Sequence, residues 1–183
     1  MWAVQYPSNK YGGYGKLIVK HKSFSARDFE QIGRWKDAAR VEGRWKPDLP
    51  RVAYRIWMQA ASEKPRCPEE GRVAGFLEDW SNRRYTDNYE SGPKETSFGL
   101  SRASALLHFI SGGRYPIFDS RVRRALARIL DSGLPPKTVS WYLGSYCPLF
   151  LEIAALCGAD DLRMVDKALF SYGAKVLKRE KKA

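Results

Sequence analysis

Apolar residues recur along most of this chain at three- and four-residue intervals, the spacing that lines one face of an α-helix. Phe29, Ile32 and Trp35 form the first such stripe. Ser25 stands before it as an N-cap, Asp28 supplies the acid of a capping box, and Phe24 and Phe29 occupy the positions of a hydrophobic staple. The basic run Arg34, Lys36 and Arg40 complements the dipole at that helix's end, and Arg44–Pro47 is a connection. A second helix opens near Asp48-Leu49-Pro50 and carries the stripe Val52/Ala53, Ile56/Trp57 and Ala60. Val73, Phe76, Leu77 and Trp80 predict a third. Ala103, Leu106/Leu107 and Ile110 predict a helix over 101–111, stopped by Ser111-Gly112-Gly113. Asp119 opens the next, with Val122, Leu126 and Ile129 turned to the core and Gly133 at its end. Val139, Trp141, Tyr142 and Leu143 mark a short helix. Pro148 then opens the very apolar PLFLEIAALC, stopped by Gly158 and expected at the centre of the fold. A last helix, capped by Asp160 or Asp161, carries Leu162, Val165, Leu169 and Tyr172 and closes at Gly173.

Three stretches break this rhythm. In residues 1–23, Trp2, Val4 and Tyr6 alternate, as do Leu17 and Val19, which predicts an extended arm or short strands. The glycine-rich Tyr11–Lys16 between them lacks the length and the Ser/Thr of a P-loop and reads as a flexible turn. Residues 82–97 are polar and turn-rich, the longest loop candidate. Residues 175–183, KVLKREKKA, are a basic tail expected to fray. The whole predicts an all-α fold, a two-lobed single domain over 1–183 of about seven or eight helices, with a small β element at its start.

Charge alters the picture. Lysine and arginine exceed the acids by 12, an imbalance that suits a polyanionic partner, because phosphate neutralisation releases counterions; a basic surface serving solubility alone is the competing reading. Three cysteines at wide spacing argue against a disulfide framework. They read as reduced thiols, and the expected location is cytoplasmic. Two well-separated histidines speak against zinc, and no metal or cofactor is expected. The apolar runs are judged too short to span a bilayer, and MWAVQYPSNK lacks the apolar core of a signal peptide, so no membrane partner is expected.

Candidate chemistry gathers at 99–130. Arg121, Arg124 and Arg128 share one helix face, Arg114 precedes the turn, and Arg123 flanks it. Beside a helix N-terminus, such arginines can hold phosphate or can form a solvated basic face. An aspartate at Asp119 reads first as an N-cap. A capping carboxylate beside a phosphate backbone can also stabilise a cationic sugar or orient water. His108 reads as a buried, hydrogen-bonded histidine.

The order helix, small-residue turn, then Tyr115-Pro116-Ile117-Phe118-Asp119-Ser120-Arg121-Val122-Arg123-Arg124 resembles the helix-hairpin-helix DNA glycosylase superfamily. There, a Pro-x-x-Asp-[Ser/Thr]-x-Val-x-Arg stretch carries the essential aspartate, and Gly99–Leu107 falls where the family has the second helix of its hairpin. The resemblance covers about 99–130, and its hairpin, Ser97-Phe98-Gly99-Leu100, offers one glycine. It implies Asp119 as the catalytic residue. Bifunctional members carry a lysine nucleophile just after the hairpin; Leu100–Ser104 has none, so a monofunctional DNA N-glycosylase is implied, a hydrolase leaving an abasic site in base excision repair or anti-phage defence. The family's four-cysteine iron–sulfur loop is absent. The implied partner is double-stranded DNA with a flipped base, met by a monomer. Ser101, Arg102, Arg114, Arg121 and Arg124 are the expected DNA contacts. Tyr115, Trp35, Trp141 and Tyr142 are the expected walls for the extruded base. The competing readings are a non-catalytic DNA-binding module on the same scaffold and a basic adaptor for RNA or acidic protein.

Overall fold

The capping box at Ser25 and Asp28 forms as the sequence predicts. The Ser25 N–H and hydroxyl both donate to Asp28 Oδ2, at 2.9 and 2.6 Å, and the Phe24 and Phe29 rings meet edge to face at 5.6 Å. In the computed structural model, residues 14–20, 23–37, 51–89, 92–159 and 162–180 are described. The expected arm at Trp2–Tyr6, most of the glycine-rich turn, Arg40, the connection at 44–47, the helix opening at 48–50 and the caps Asp160 and Asp161 lie outside them. The described chain is all-α apart from one two-stranded ribbon.

The helices run in order: α1 (Tyr14–Val19), α2 (Ala26–Asp37), α3 (Arg51–Glu63), α4 (Val73–Asn82), α5 (Gly99–Ile110), α6 (Ser120–Ile129), α7 (Val139–Trp141), α8 (Cys147–Leu156) and α9 (Leu162–Glu180). A π turn, Tyr142–Tyr146, joins α7 to α8. Leu17 and Val19 are therefore helical, not alternating residues of a strand: Leu17 enters the core and Val19 stays exposed. Within the expected loop at 82–97, residues 84–89 and 92–97 are strands. Arg84–Tyr89 (β1) pairs antiparallel with Gly92–Ser97 (β2), in the register Arg84 to Ser97. Turn-forming residues hid the signal, but Tyr85, Thr86, Tyr89 and Thr96 are strand formers. The Phe98 N–H donates to the Arg83 carbonyl at 2.9 Å, closing the ribbon's base.

Close packing depends on two glycines. A Cβ added to Gly33 in α2 would come within 2.5 Å of the Trp57 ring, so α2 approaches α3 closely at this point. A Cβ at Gly173 would collide with the Arg121 carbonyl. Gly173 was expected to end the last helix; instead α9 continues to Glu180, through part of the expected fraying tail, and Gly173 is where α9 crosses the entrance of α6.

Three apolar expectations are corrected. Ile129 is 50 % exposed, because α6 ends there and Asp131 turns the chain through φ 44°, ahead of Gly133. The PLFLEIAALC helix is peripheral: Phe150 and Ala154 face the core, while Leu156 is 85 % exposed. Val139–Leu156 also forms one helical run whose mean hydropathy, 1.2 over 18 residues, reaches what a membrane span needs by length and composition. Along that run Tyr142, Tyr146, Phe150 and Ala154 recur every fourth residue, and all four are core residues.

Candidate active site

Tyr115-Pro116-Ile117-Phe118 cannot be helical where a residue precedes proline, so its backbone groups need partners from elsewhere. Side chains from the surrounding helices supply them. His108 Nδ1 lies 2.6 Å from the Tyr115 carbonyl. The Tyr142 and Tyr146 hydroxyls donate to the carbonyls of Pro116 and Ile117, at 2.7 and 3.4 Å. The Phe118 N–H donates to Ser104 Oγ at 3.0 Å, and the Ile117 N–H donates to the Asp166 carboxylate. Burial, with Arg163 nearby, depresses His108 to about 3, leaving the ring neutral with Nδ1–H as donor. Burial also pushes both phenols well above their usual range, which keeps them donors. This cradle delivers the chain to Asp119 in a fixed position.

Asp119 is the N-cap of α6. Its Oδ1 accepts from the N–H groups of Arg121 and Val122, at 2.9 and 3.0 Å. Its Oδ2 faces Lys36 Nζ at 3.4 Å, across 83 residues of sequence. The Asp119 side chain is 16 % exposed and that of Lys36 8 %. Behind the pair, Asp166 is ion-paired with Arg163, both on α9. Burial raises the Asp166 carboxyl above its usual range; Arg163 and Lys36 oppose the shift, and Asp119 adds to it.

Asp119 opens into a cleft of about 1070 Å³. The end of α2 lines it with Trp35, Lys36 and Asp37, and the β2–α5 junction with Ser97 to Arg102. Phe118 to Arg121, then Lys137 to Ser140, form the opposite side, Phe170 of α9 joins them, and α4 adds Glu78, Ser81 and Asn82. The beginnings of α5, α6 and α7 thus meet on one concavity, each bringing N–H groups that no preceding turn occupies. The chain enters α5 from β2, not from a helix, and Gly99 makes that turn at φ 71°, a conformation other residues resist.

The sequence-predicted residues divide around this cleft. Asp119, Ser101, Arg102, Arg121 and Trp35 line it. Arg102 is already engaged: its guanidinium pairs with Asp37 at 3.1 Å and donates to the carbonyls of Ser97 and Phe98. Trp57 Nε1 holds the same Asp37 at 2.8 Å, so Arg102 ties α5 to α2 and α3. Arg121 lies over the Phe170 ring at 4.5 Å. Arg114, Arg124, Tyr115 and Trp141 are not among the lining residues. Arg114 sits over Tyr115 instead, and Trp141 stacks on Phe118 from behind, at 5.5 Å. Tyr142 is corrected outright: it is fully buried, its hydroxyl spent on Pro116, and no base can reach its face.

Lys36, Lys137, Phe118 and Phe170 were missed as site residues. Lys36 did leave a signal. Phe29, Ile32, Gly33 and Lys36 stand at i, i+3, i+4 and i+7, so a lysine occupies a position of the buried stripe. Asp166 does the same after Leu162 and Val165. A charge on an apolar face needs a partner from another element. No family model, no curated protein and no solved structure matches this chain.

Proposed function

We propose that this chain is a monofunctional DNA N-glycosylase in which Asp119 assists the departure of a damaged or modified base. The observation that carries the reading is the position of one carboxylate: a capping side chain, partly exposed, in the wall of a cleft that also holds lysines, two arginines and aromatic side chains. The net charge of +12 fits a duplex partner.

In the proposed reaction, the target nucleotide leaves the stack and its base enters the cleft. The C1′–N bond breaks with its electron pair going to the base, and positive charge develops on the sugar. A negative group fixed by two backbone N–H donors stabilises that charge without having to reorganise. Water then adds at C1′, its proton goes to the base that left with the electron pair, and an abasic site remains. Trp35, which lines the cleft, offers ring surface for the base. The expected setting is base excision repair or anti-phage defence, in the cytoplasm, by a monomer.

A second reading has its own support. In the structure, Asp119 Oδ1 is used by the cap and Oδ2 by Lys36, as suits a structural aspartate in a non-catalytic DNA-binding protein. Incubation with duplexes carrying a panel of lesions and modified cytosines, followed by alkali, tests the first reading. Strand breaks that disappear in Asp119→Asn, with duplex affinity retained, support the enzyme. Tight binding with no breaks on any substrate supports the binder.

A further inference from the structure

We propose that Lys36 is a ligand for a substrate phosphate, and that taking this phosphate releases the Asp119 carboxylate for chemistry; the inference rests on the glycosylase reading. In the structure the Lys36 ammonium stands 3.4 Å from Asp119 Oδ2. The other oxygen of Asp119 is committed to the cap, so Oδ2 is the one left to face a sugar. An ammonium held there opposes the reaction, because the sugar turns cationic in the same place and like charges repel. The resting pair therefore has to part before the base does.

Lys36 is built for that exchange, and the two arginines that line the cleft are not. Arg102 is held by Asp37 and two carbonyls, and Arg121 lies on the Phe170 ring. Lys36 combines a flexible four-carbon stem with one long contact to Asp119. Its charge is largely buried, so it cannot be left alone. Of the nearby acids, Asp166 is already taken by Arg163 and by the Ile117 N–H, and Asp37 by Arg102 and Trp57. His108, on the same side, is neutral. An incoming anion can take the place of Asp119 beside Lys36, so the ammonium is compensated throughout, while the Asp119 carboxylate keeps its two backbone N–H donors. A nucleotide brings one, since the phosphates on either side of a sugar lie close to its C1′.

The test is a double-variant cycle on binding, read without turnover. The full chain, Lys36→Met, Asp119→Asn and the double variant are titrated with a duplex carrying a tetrahydrofuran abasic analogue, across a range of sodium chloride. Lys36→Met is expected to weaken binding and flatten the plot of log affinity against log salt by about 0.9, the slope of one phosphate contact. Asp119→Asn is expected to bind several-fold tighter than the parent, and that gain is expected to vanish when Lys36 is also Met. If Lys36→Met fails to fold, Lys36→Gln takes its place, and the Asp119→Asn gain is readable without either. A parental salt slope in Lys36→Met, or an Asp119→Asn gain that survives in the double variant, overturns the proposal. So does an adduct at Lys36 trapped by borohydride on a cleavable substrate, which would make Lys36 a nucleophile. Absence of turnover on every substrate would sink the glycosylase reading alone and leave this cycle interpretable.

Discussion

Asp28 at the entrance of α2 and Asp119 at the entrance of α6 are both carboxylates that accept from groups within a few residues and also meet one lysine. Asp28 takes the Ser25 N–H and hydroxyl together with Lys20 at 3.2 Å. Asp119 takes two backbone N–H groups together with Lys36 at 3.4 Å. The difference lies in the lysines and the surroundings. Lys20 is eight residues from its acid and its side chain is 55 % exposed. Lys36 arrives from another helix, is nearly buried, and stands with Asp119 on a cleft. Capping chemistry is therefore no mark of function in this chain. What sets Asp119 apart is the set of distant elements that reach it.

The largest expected contrast is catalytic. On any duplex the protein cleaves, Asp119→Asn should lower turnover at least about a hundredfold, the scale of losing a preorganised charge-stabilising group. Asp28→Asn should leave turnover within about twofold; single-turnover rates on the same duplex measure both. Next comes the crossing that orients α6. Gly173→Ala should cost roughly 1–3 kcal/mol in denaturant unfolding, because the obstacle is the Arg121 carbonyl, which has no rotamer to escape into. No such loss is expected from Gly144→Ala, where a Cβ meets nothing within 4 Å.

A smaller effect per step separates the cradle under Asp119 from the rest of the core. His108 falls from 6.5 to about 3 on folding, through burial first and Arg163 second. Above pH 6.5 the ring is neutral in both states and its contribution is fully present. As pH falls from 6.5 toward 3, the unfolded chain takes up a proton that the folded chain refuses. Stability then drops by up to about 1.4 kcal/mol per pH unit and levels off below 3. Urea midpoints across that window should show the slope, and His108→Asn should lose it. The smallest effect belongs to the ordinary cap. Ser25→Ala should cost about 1 kcal/mol in thermal unfolding and leave DNA binding unchanged.

Much of the local structure could be read from residue spacing. The capping box, the staple, the helix over 101–111, the break at Pro116 and the cap at Asp119 are each set by residues within a turn or two of one another. Their physics does not depend on the rest of the fold. The ribbon at 84–97 was obscured because its strand formers alternate with turn formers, and a strand is defined by its partner. Tyr142 looked like a base wall and proved to be a hydrogen-bond donor to Pro116. Aromatic side chains fill cores and line pockets equally well, and composition does not say which.

The amino-acid order alone determined the apolar stripes of most helices, where α2 and α6 begin, and that a carboxylate would stand at the mouth of α6. Tertiary structure decided which of those faces are covered: it left Leu151 and Leu156 of the most apolar helix outside and ran α9 past Gly173 against the start of α6. It also brought Lys36 across 83 residues to Asp119. The periodicity of a helix is carried by neighbours three and four residues apart. What lies against the helix depends on how every other face is satisfied at once, and that sum is settled only in the folded chain.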